Sequence, residues 1–394
     1  MSAASLRNAG LVVAGVLCAL LVAEVGLRLG RVTYLNFSMV VADEQRGWAL
    51  RPGVEGWLVG EGVVHIRINS AGFRDRERAI RKPPNTLRVA ILGDSMTMGG
   101  QVAESETFSA VVERELAACP RLGGRAVEAL NFGVDGYSTA QELMTLRYHA
   151  WQYAPDIVVL AVYTGNDIVN NFLRLDGDAG RPYFVRKNGA LVLDASFRDS
   201  PWYRFRKAWV GRVMSGMFAH SRLLQVVLRA RKVVRERLGR RVADPEYALY
   251  KVATDPNWIE AWQVTEGLLV AVRHEVAKHA ARLLVVTLSN GIQVHPDKSR
   301  REKFLEDCAG CELFYPDVRI RDLGERYAFR VVNLAPTLQS LAEQKHMFLH
   351  GPLQEESGDG HWNVEGHRLA GHLIAREICG EMDRRPVGAP SGVR

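Results

Sequence analysis

Four short stretches carry the residue types that acyl chemistry needs. Gly93-Asp94-Ser95 abruptly ends the apolar run Val89-Ala90-Ile91-Leu92 and presents a hydroxyl. A serine hydroxyl is a weak nucleophile until a base takes its proton. Asp359-Gly360-His361-Trp362-Asn363 offers that base. His361 would accept the proton on Nε2, and Asp359, two residues earlier, would accept from Nδ1 and fix the tautomer. Gly133-Val134-Asp135-Gly136 and Thr164-Gly165-Asn166-Asp167 offer donors. The backbone N–H groups of Ser95 and Gly136, with the side-chain NH₂ of Asn166, would meet the oxyanion of a tetrahedral intermediate. Taken singly, each stretch reads as a turn or a helix cap, and a lone His361 reads as a structural histidine. The competing histidines fit less well. His367 and His372 fall within the last predicted helix, and no acid closely precedes His295.

The elements that must position these groups are legible from hydrophobic patterning. Short apolar strands are predicted at Arg88–Leu92, Val127–Phe132, Ile157–Val162, Leu283–Leu288 and Phe329–Leu334. Between them, helical spacing predicts Phe108–Leu116, Thr139–Tyr153 with Ser138 as N-cap, Trp262–His279, Leu323–Tyr327 and Val364–Cys379, the last ended by Gly380. Continuous apolar strands alternating with helices imply a parallel sheet covered on both faces. Ligands collect at the carboxyl ends of such strands. Three of the four stretches follow a predicted strand there, and the fourth immediately precedes the last helix.

Two regions depart from this rhythm. Residues 32–87 form a lead-in with short strands, in which Val63–Ile68 alternates apolar and polar like a half-buried hairpin strand and Asn69–Gly72 reads as a turn. Residues 168–255 read as an inserted cap. Its hairpin pairs Tyr183–Val185 with Ala190–Leu193 across Lys187-Asn188-Gly189. A basic run from Arg204 to Arg241 follows, including Arg206, Lys207, Arg212, Arg222, Arg229 and Arg231, with Glu236 its only acid. This run is either a solvated helical cap or a basic face for anionic lipid or polysaccharide. Because it follows the Asn166-Asp167 loop, it is expected near the mouth of the site, where it would steer anionic substrates. Residues 381–394 read as a disordered tail.

The chain has 394 residues, 47% hydrophobic, and a net charge of +7. These allow a large core and a partner that is an anionic surface. Nucleic acid is not expected, since no zinc-finger spacing, RNP-like aromatic pattern or helix–turn–helix stands out. The uncharged run Ala9–Ala23, extended to Leu29, reaches membrane-spanning length. Leu21 and Ala23 fit a signal-peptidase site poorly, so residues 1–31 are expected to be an uncleaved signal-anchor with the bulk of the chain on the periplasmic side. Of five cysteines, Cys308 and Cys311 form a lone CxxC without a second pair, which does not suggest zinc. No metal or organic cofactor is expected.

On these blocks the chain resembles the SGNH (GDSL-type) hydrolases over residues 88–380, in their membrane-anchored bacterial form. The resemblance implies a flavodoxin-like three-layer α/β/α fold. It implies Ser95 as nucleophile, His361 and Asp359 as base and acid, and Ser95, Gly136 and Asn166 as the oxyanion hole. It further implies a serine esterase that removes a small acyl group, often acetyl, from a carbohydrate or lipid ester. The Asp-x-His-Trp spacing is also similar to alginate-type O-acetyltransferases, which would send the acyl group to a sugar hydroxyl. A non-catalytic polymer-binding module with an idle site is the remaining alternative.

Overall fold

The computed structural model describes residues 3–30, 32, 35, 39–238, 246–352 and 358–382. Of the expected tail 381–394, residues 383–394 lie outside them, as do Arg240 and Arg241 of the basic run; Glu381 instead closes the last helix, Val364–Glu381, which runs through Gly380. At the centre is a five-stranded parallel sheet. In chain order with the flanking hairpins, the strands are β1 (Val40–Asp43), β2 (Gly47–Leu50), β3 (Glu55–Val59), β4 (Val63–Arg67), β5 (Thr86–Leu92), β6 (Ala126–Asn131), β7 (Ile157–Tyr163), β8 (Tyr183–Lys187), β9 (Ala190–Asp194), β10 (Arg282–Leu288) and β11 (Arg330–Asn333). The sheet order is β11-β10-β7-β5-β6, all parallel. Numbered within the sheet that order is 2-1-3-4-5, the flavodoxin-like arrangement, whose switch point lies between β5 and β7.

β5 is buried along its whole length, because helices cover both faces. One core layer holds Leu143, Trp262, Leu268 and Val285; the other holds Phe108, Val112, Trp362 and Ile374. The helices run beyond their expected bounds where caps set them. Trp262–His279 becomes Pro256–Lys278, because the Asp255 carboxylate accepts from the N–H groups of Asn257 and Trp258 and Pro256 occupies the first turn. Leu323–Tyr327 is the end of a longer helix, Tyr315–Tyr327. The expected helix Thr139–Tyr153 breaks at His149 into Thr139–Tyr148 and a 3₁₀ turn at Ala150–Tyr153.

The lead-in is part of the same body. Val63–Arg67 pairs with Glu55–Val59 across the turn Gly60-Glu61-Gly62. The expected turn at Asn69–Gly72 closes with the Gly72 N–H donating to the Asn69 carbonyl at 3.0 Å. Arg74, buried, donates to the carbonyls of Met98, Gly99 and Val102. Asp75 accepts from the Asn131 N–H at 3.2 Å and pairs with Arg78. The segment therefore grips the turns after β5 and the end of β6.

In the inserted region, β8 and β9 turn through Asn188 and Gly189, both at positive φ as a two-residue hairpin turn requires. Three helices follow, Pro201–Lys207, Trp209–His220 and Arg222–Leu238. Trp202 packs edge-on against Trp48 of β2, their ring centres 6.4 Å apart. At the N-terminus, Ala3–Leu29 is one helix, with Ser5–Leu29 long and apolar enough to cross a membrane or serve as a signal sequence. Disulfides join Cys119 to Cys379 and Cys308 to Cys311, and Cys18 is free.

Candidate active site

Ser95 opens the short helix Ser95–Met98 directly after β5. The Asp94 carboxylate caps it by accepting from the Met96 N–H at 2.9 Å. The strand can turn this sharply only because Gly93 lacks a side chain: a Cβ there would lie 2.0 Å from Thr97 Oγ1. Ser95 is 6% exposed.

The loop after β6 is fastened to the same helix. Asn131 Nδ2 donates to the Thr97 carbonyl at 2.9 Å, and its Oδ1 accepts from the Gly133 N–H at 2.8 Å. Farther along, the Asp135 carbonyl accepts from Trp48 Nε1 at 3.3 Å. A planar trans peptide then turns the Gly136 N–H the opposite way. Among the described residues no acceptor takes the N–H of Ser95 or of Gly136. After β7, Asn166 Nδ2 donates one hydrogen to Asp94 Oδ2 at 2.8 Å, leaving its second free to donate. Burial pushes the Asp94 carboxyl up to about 6, against the Asn166 and Met96 hydrogen bonds.

His361 reaches the site from a loop zipped to residues 349–351. The Gly351 N–H donates to the His361 carbonyl at 2.8 Å, and the Asn363 N–H to the Leu349 carbonyl at 3.0 Å. Beneath it, His350 Nδ1 lies 2.7 Å from the Gly360 carbonyl and Nε2 lies 3.0 Å from Ser289 Oγ. Burial pulls His350 down to about 4, so its ring is neutral. A carbonyl only accepts, so Nδ1 carries the proton and Nε2 accepts from Ser289, whose oxygen in turn accepts from Trp362 Nε1 at 2.9 Å.

The reacting groups then line up. His361 Nε2 lies 2.9 Å from Ser95 Oγ, and Nδ1 lies 2.9 Å from a carboxylate oxygen. That carboxylate belongs to Glu61, where Asp359 was expected. Glu61 Oε1 meets Nδ1 while Oε2 accepts from the His361 backbone N–H at 2.7 Å. The physical reason is the hairpin β3–β4. Its tip settles beside the end of the Ser95–Met98 helix, with Leu58 against Gly100 and Gly62 against the Gln101 carbonyl. Gly360, at φ 92°, gives the carboxylate room: a Cβ there would lie 2.7–2.8 Å from the Glu61 carboxylate atoms. Asp359 instead lies on the side of His295, whose charge balance it influences.

Burial alone would lower the His361 pKa, but the hydrogen bond and charge of Glu61, helped by Asp94 and Asp135, hold it above the ordinary imidazole value. Burial likewise opposes the charge on Glu61, and the His361 contacts overcome it, so the Glu61 carboxyl lies below its ordinary range. A hydroxyl, an imidazole and a carboxylate in this order can pass a proton from the hydroxyl to Nε2 while the carboxylate balances the imidazolium. Glu61 left almost no trace in the sequence. An acid between two glycines at a hairpin tip reads as solvent-facing, and 300 residues separate it from its partner.

No family model matches the chain, and no curated protein matches it. Among solved structures it is similar to the acetyl xylan esterase AlAXEase, with 15% identity, 75% of this chain and 98% of that chain covered, and a TM-score of 0.38. It is similar also to a catalytic mutant of an acetylxylan esterase from Geobacillus stearothermophilus (12%, 77% and 97%, TM-score 0.37). A third likeness is to the lipase/acylhydrolase from Enterococcus faecalis (14%, 77% and 100%, TM-score 0.36). Likenesses this remote carry no chemical inference, which falls to the geometry above.

Proposed function

We propose that the protein is a serine-dependent ester hydrolase of the SGNH type. The observation that carries this is the relay Ser95–His361–Glu61, 2.9 Å at each step, at the carboxyl edge of the sheet. Ser95 Oγ attacks the acyl carbonyl as its proton passes to His361 Nε2. The carbonyl oxygen becomes an oxyanion and is met by the N–H groups of Ser95 and Gly136 and by the second Asn166 hydrogen. The imidazolium, balanced by Glu61, then gives its proton to the departing alcohol. Water repeats the attack on the acyl-serine, His361 again taking the proton, and the acid leaves as Ser95 is restored.

A small acyl group, acetyl foremost, on a carbohydrate or lipid is the proposed substrate. The Asp359-x-His361 spacing spoke for transfer to a sugar hydroxyl. With Glu61 at Nδ1 that support falls away, and water is the proposed acceptor. The bulk of the chain is proposed to lie outside the cytoplasm, held by the helix Ser5–Leu29, and the two disulfides fit an oxidising compartment. The test is hydrolysis of p-nitrophenyl acetate together with labelling by a fluorophosphonate. The wild-type chain is expected to turn over the ester and to be labelled, and Ser95→Ala to do neither. Equal rates in the two proteins would overturn the assignment.

A further inference from the structure

The cap exposes a stripe of large apolar side chains. In the helix Trp209–His220, Trp209 is 70% exposed, Met217 55% and Val213 53%, and Val210 and Met214 are exposed beside them. At 100° per residue these five positions fall within an arc of about 140°. The preceding helix adds Trp202 and Phe205, also exposed. Scattered apolar residues are ordinary on a protein surface, but a contiguous stripe marks a surface that something covers. Exposed Arg212 borders it, as do Arg204 and Lys207, which pair with the carboxylates of Asp199 and Glu44.

The same cap is tied to the end of the apolar N-terminal helix. The Glu24 carboxylate accepts from Ser221 Oγ at 3.1 Å and from the N–H groups of Arg222 and Leu223 at 3.0 and 2.9 Å. Arg28 Nη2 donates to the His220 carbonyl at 2.6 Å. The striped helix thus ends where the span Ser5–Leu29 ends. Its 12 residues are about 18 Å long, so the whole stripe lies within that distance of the end of the apolar helix.

We infer that the stripe from Trp209 to Met217 lies in the boundary between headgroups and acyl chains of the leaflet that the N-terminal helix exits. The occupant of this surface is a phospholipid bilayer with anionic headgroups. Continuity with the span sets its depth, Trp209 supplies a ring favoured at that level, and Arg212 meets the lipid charge. Helix and cap together make one platform that fixes the domain to the membrane surface. This rests on the helix Ser5–Leu29 crossing the membrane and not on the ester hydrolase assignment.

The experiment uses the full chain in nanodiscs of phosphatidylcholine and phosphatidylglycerol, with and without bromine on the acyl chains near the headgroups. Subtracting the emission of Trp209→Phe from that of the wild type isolates Trp209, whose exposure makes the substitution safe for the fold. Bromine is expected to quench this difference emission at least twofold, and iodide in the water to leave it nearly unchanged. Difference emission that ignores bromine and responds to iodide would overturn the inference. So would shielding from iodide that appears only when alginate is added, which would assign the stripe to a polymer. Cys18, midway along the N-terminal helix, reports insertion separately. It should resist a charged maleimide in the nanodisc, and its ready labelling would remove the span on which the platform depends.

Discussion

Replacing Glu61 by Gln keeps the shape of the side chain and removes one of its two acceptors. In the wild type both oxygens are in use, one by the His361 backbone N–H at 2.7 Å and one by Nδ1 at 2.9 Å. If the glutamine oxygen stays on the backbone N–H, its NH₂ faces Nδ1. The ring is then held with its proton on Nε2, where it cannot accept from Ser95. If the amide turns over, the NH₂ opposes the backbone N–H instead. In either orientation the imidazolium loses its counter-charge. A hydrogen bond to a charged group contributes about 1.5–3 kcal/mol. Its loss corresponds to a fall of about 10–10² in kcat. Asp359→Asn should stay within about threefold of the wild type, a difference of under about 1 kcal/mol. The assay is the initial rate on p-nitrophenyl acetate, with fluorophosphonate titration to count competent sites. The pH profile supplies a second readout. His361 must be neutral to act as a base, and Glu61 raises its pKa, so kcat/KM should rise with pH along a limb above the ordinary value of 6.5. Removing the charge should move that limb down. Near-normal rates in Glu61→Gln with an unmoved limb, and the large loss in Asp359→Asn, would refute the reasoning.

Further outcomes follow from neighbouring contacts. Asn166→Ala should lower kcat about 10²–10³-fold with little change in KM, the usual result of removing an oxyanion donor; a change in KM alone would point to substrate binding. Gly360→Ala places a Cβ within 2.8 Å of the Glu61 carboxylate at a φ of 92°. It should therefore reproduce part of the Glu61→Gln loss while also lowering Tm. The Cys119–Cys379 disulfide spans 260 residues, and the double alanine variant should lose about 3–5 kcal/mol in denaturant unfolding while keeping its activity at 25 °C. Equal midpoints for the two proteins would show that packing of Phe108–Ala117 against Val364–Glu381 holds that edge without it.

The sheet was legible because each strand is an apolar run bounded by turn residues, a local signal. Ser95, Gly136 and Asn166 were singled out because each follows such a boundary and His361 because it precedes the last helix, and the structure brings Ser95 and His361 into contact. Helix ends were less so: Asp255 and Pro256 lengthen Pro256–Lys278 by a turn and a half through cap geometry that hydrophobic spacing does not report. Glu61 was not legible. Its role comes from where a hairpin tip lands on a distant loop, and nothing in Gly60-Glu61-Gly62 encodes that. Asp359 had the attraction of nearness in sequence, yet Gly360 at φ 92° hands the imidazole to a different carboxylate.

The separation of Glu61 from His361 has a consequence for the timing of activity. These two residues lie 300 positions apart, and Ser95 lies 266 from His361. A growing chain therefore exposes its nucleophile long before it owns a base. At about 5–20 residues per second, the interval between synthesis of Glu61 and of His361 is on the order of 15–60 s. On the proposed mechanism the nascent protein would have no competent hydroxyl throughout that interval, and no fragment ending before residue 361 would cleave an ester. The late position of His361 would thus act as a check that a chain truncated before it stays silent.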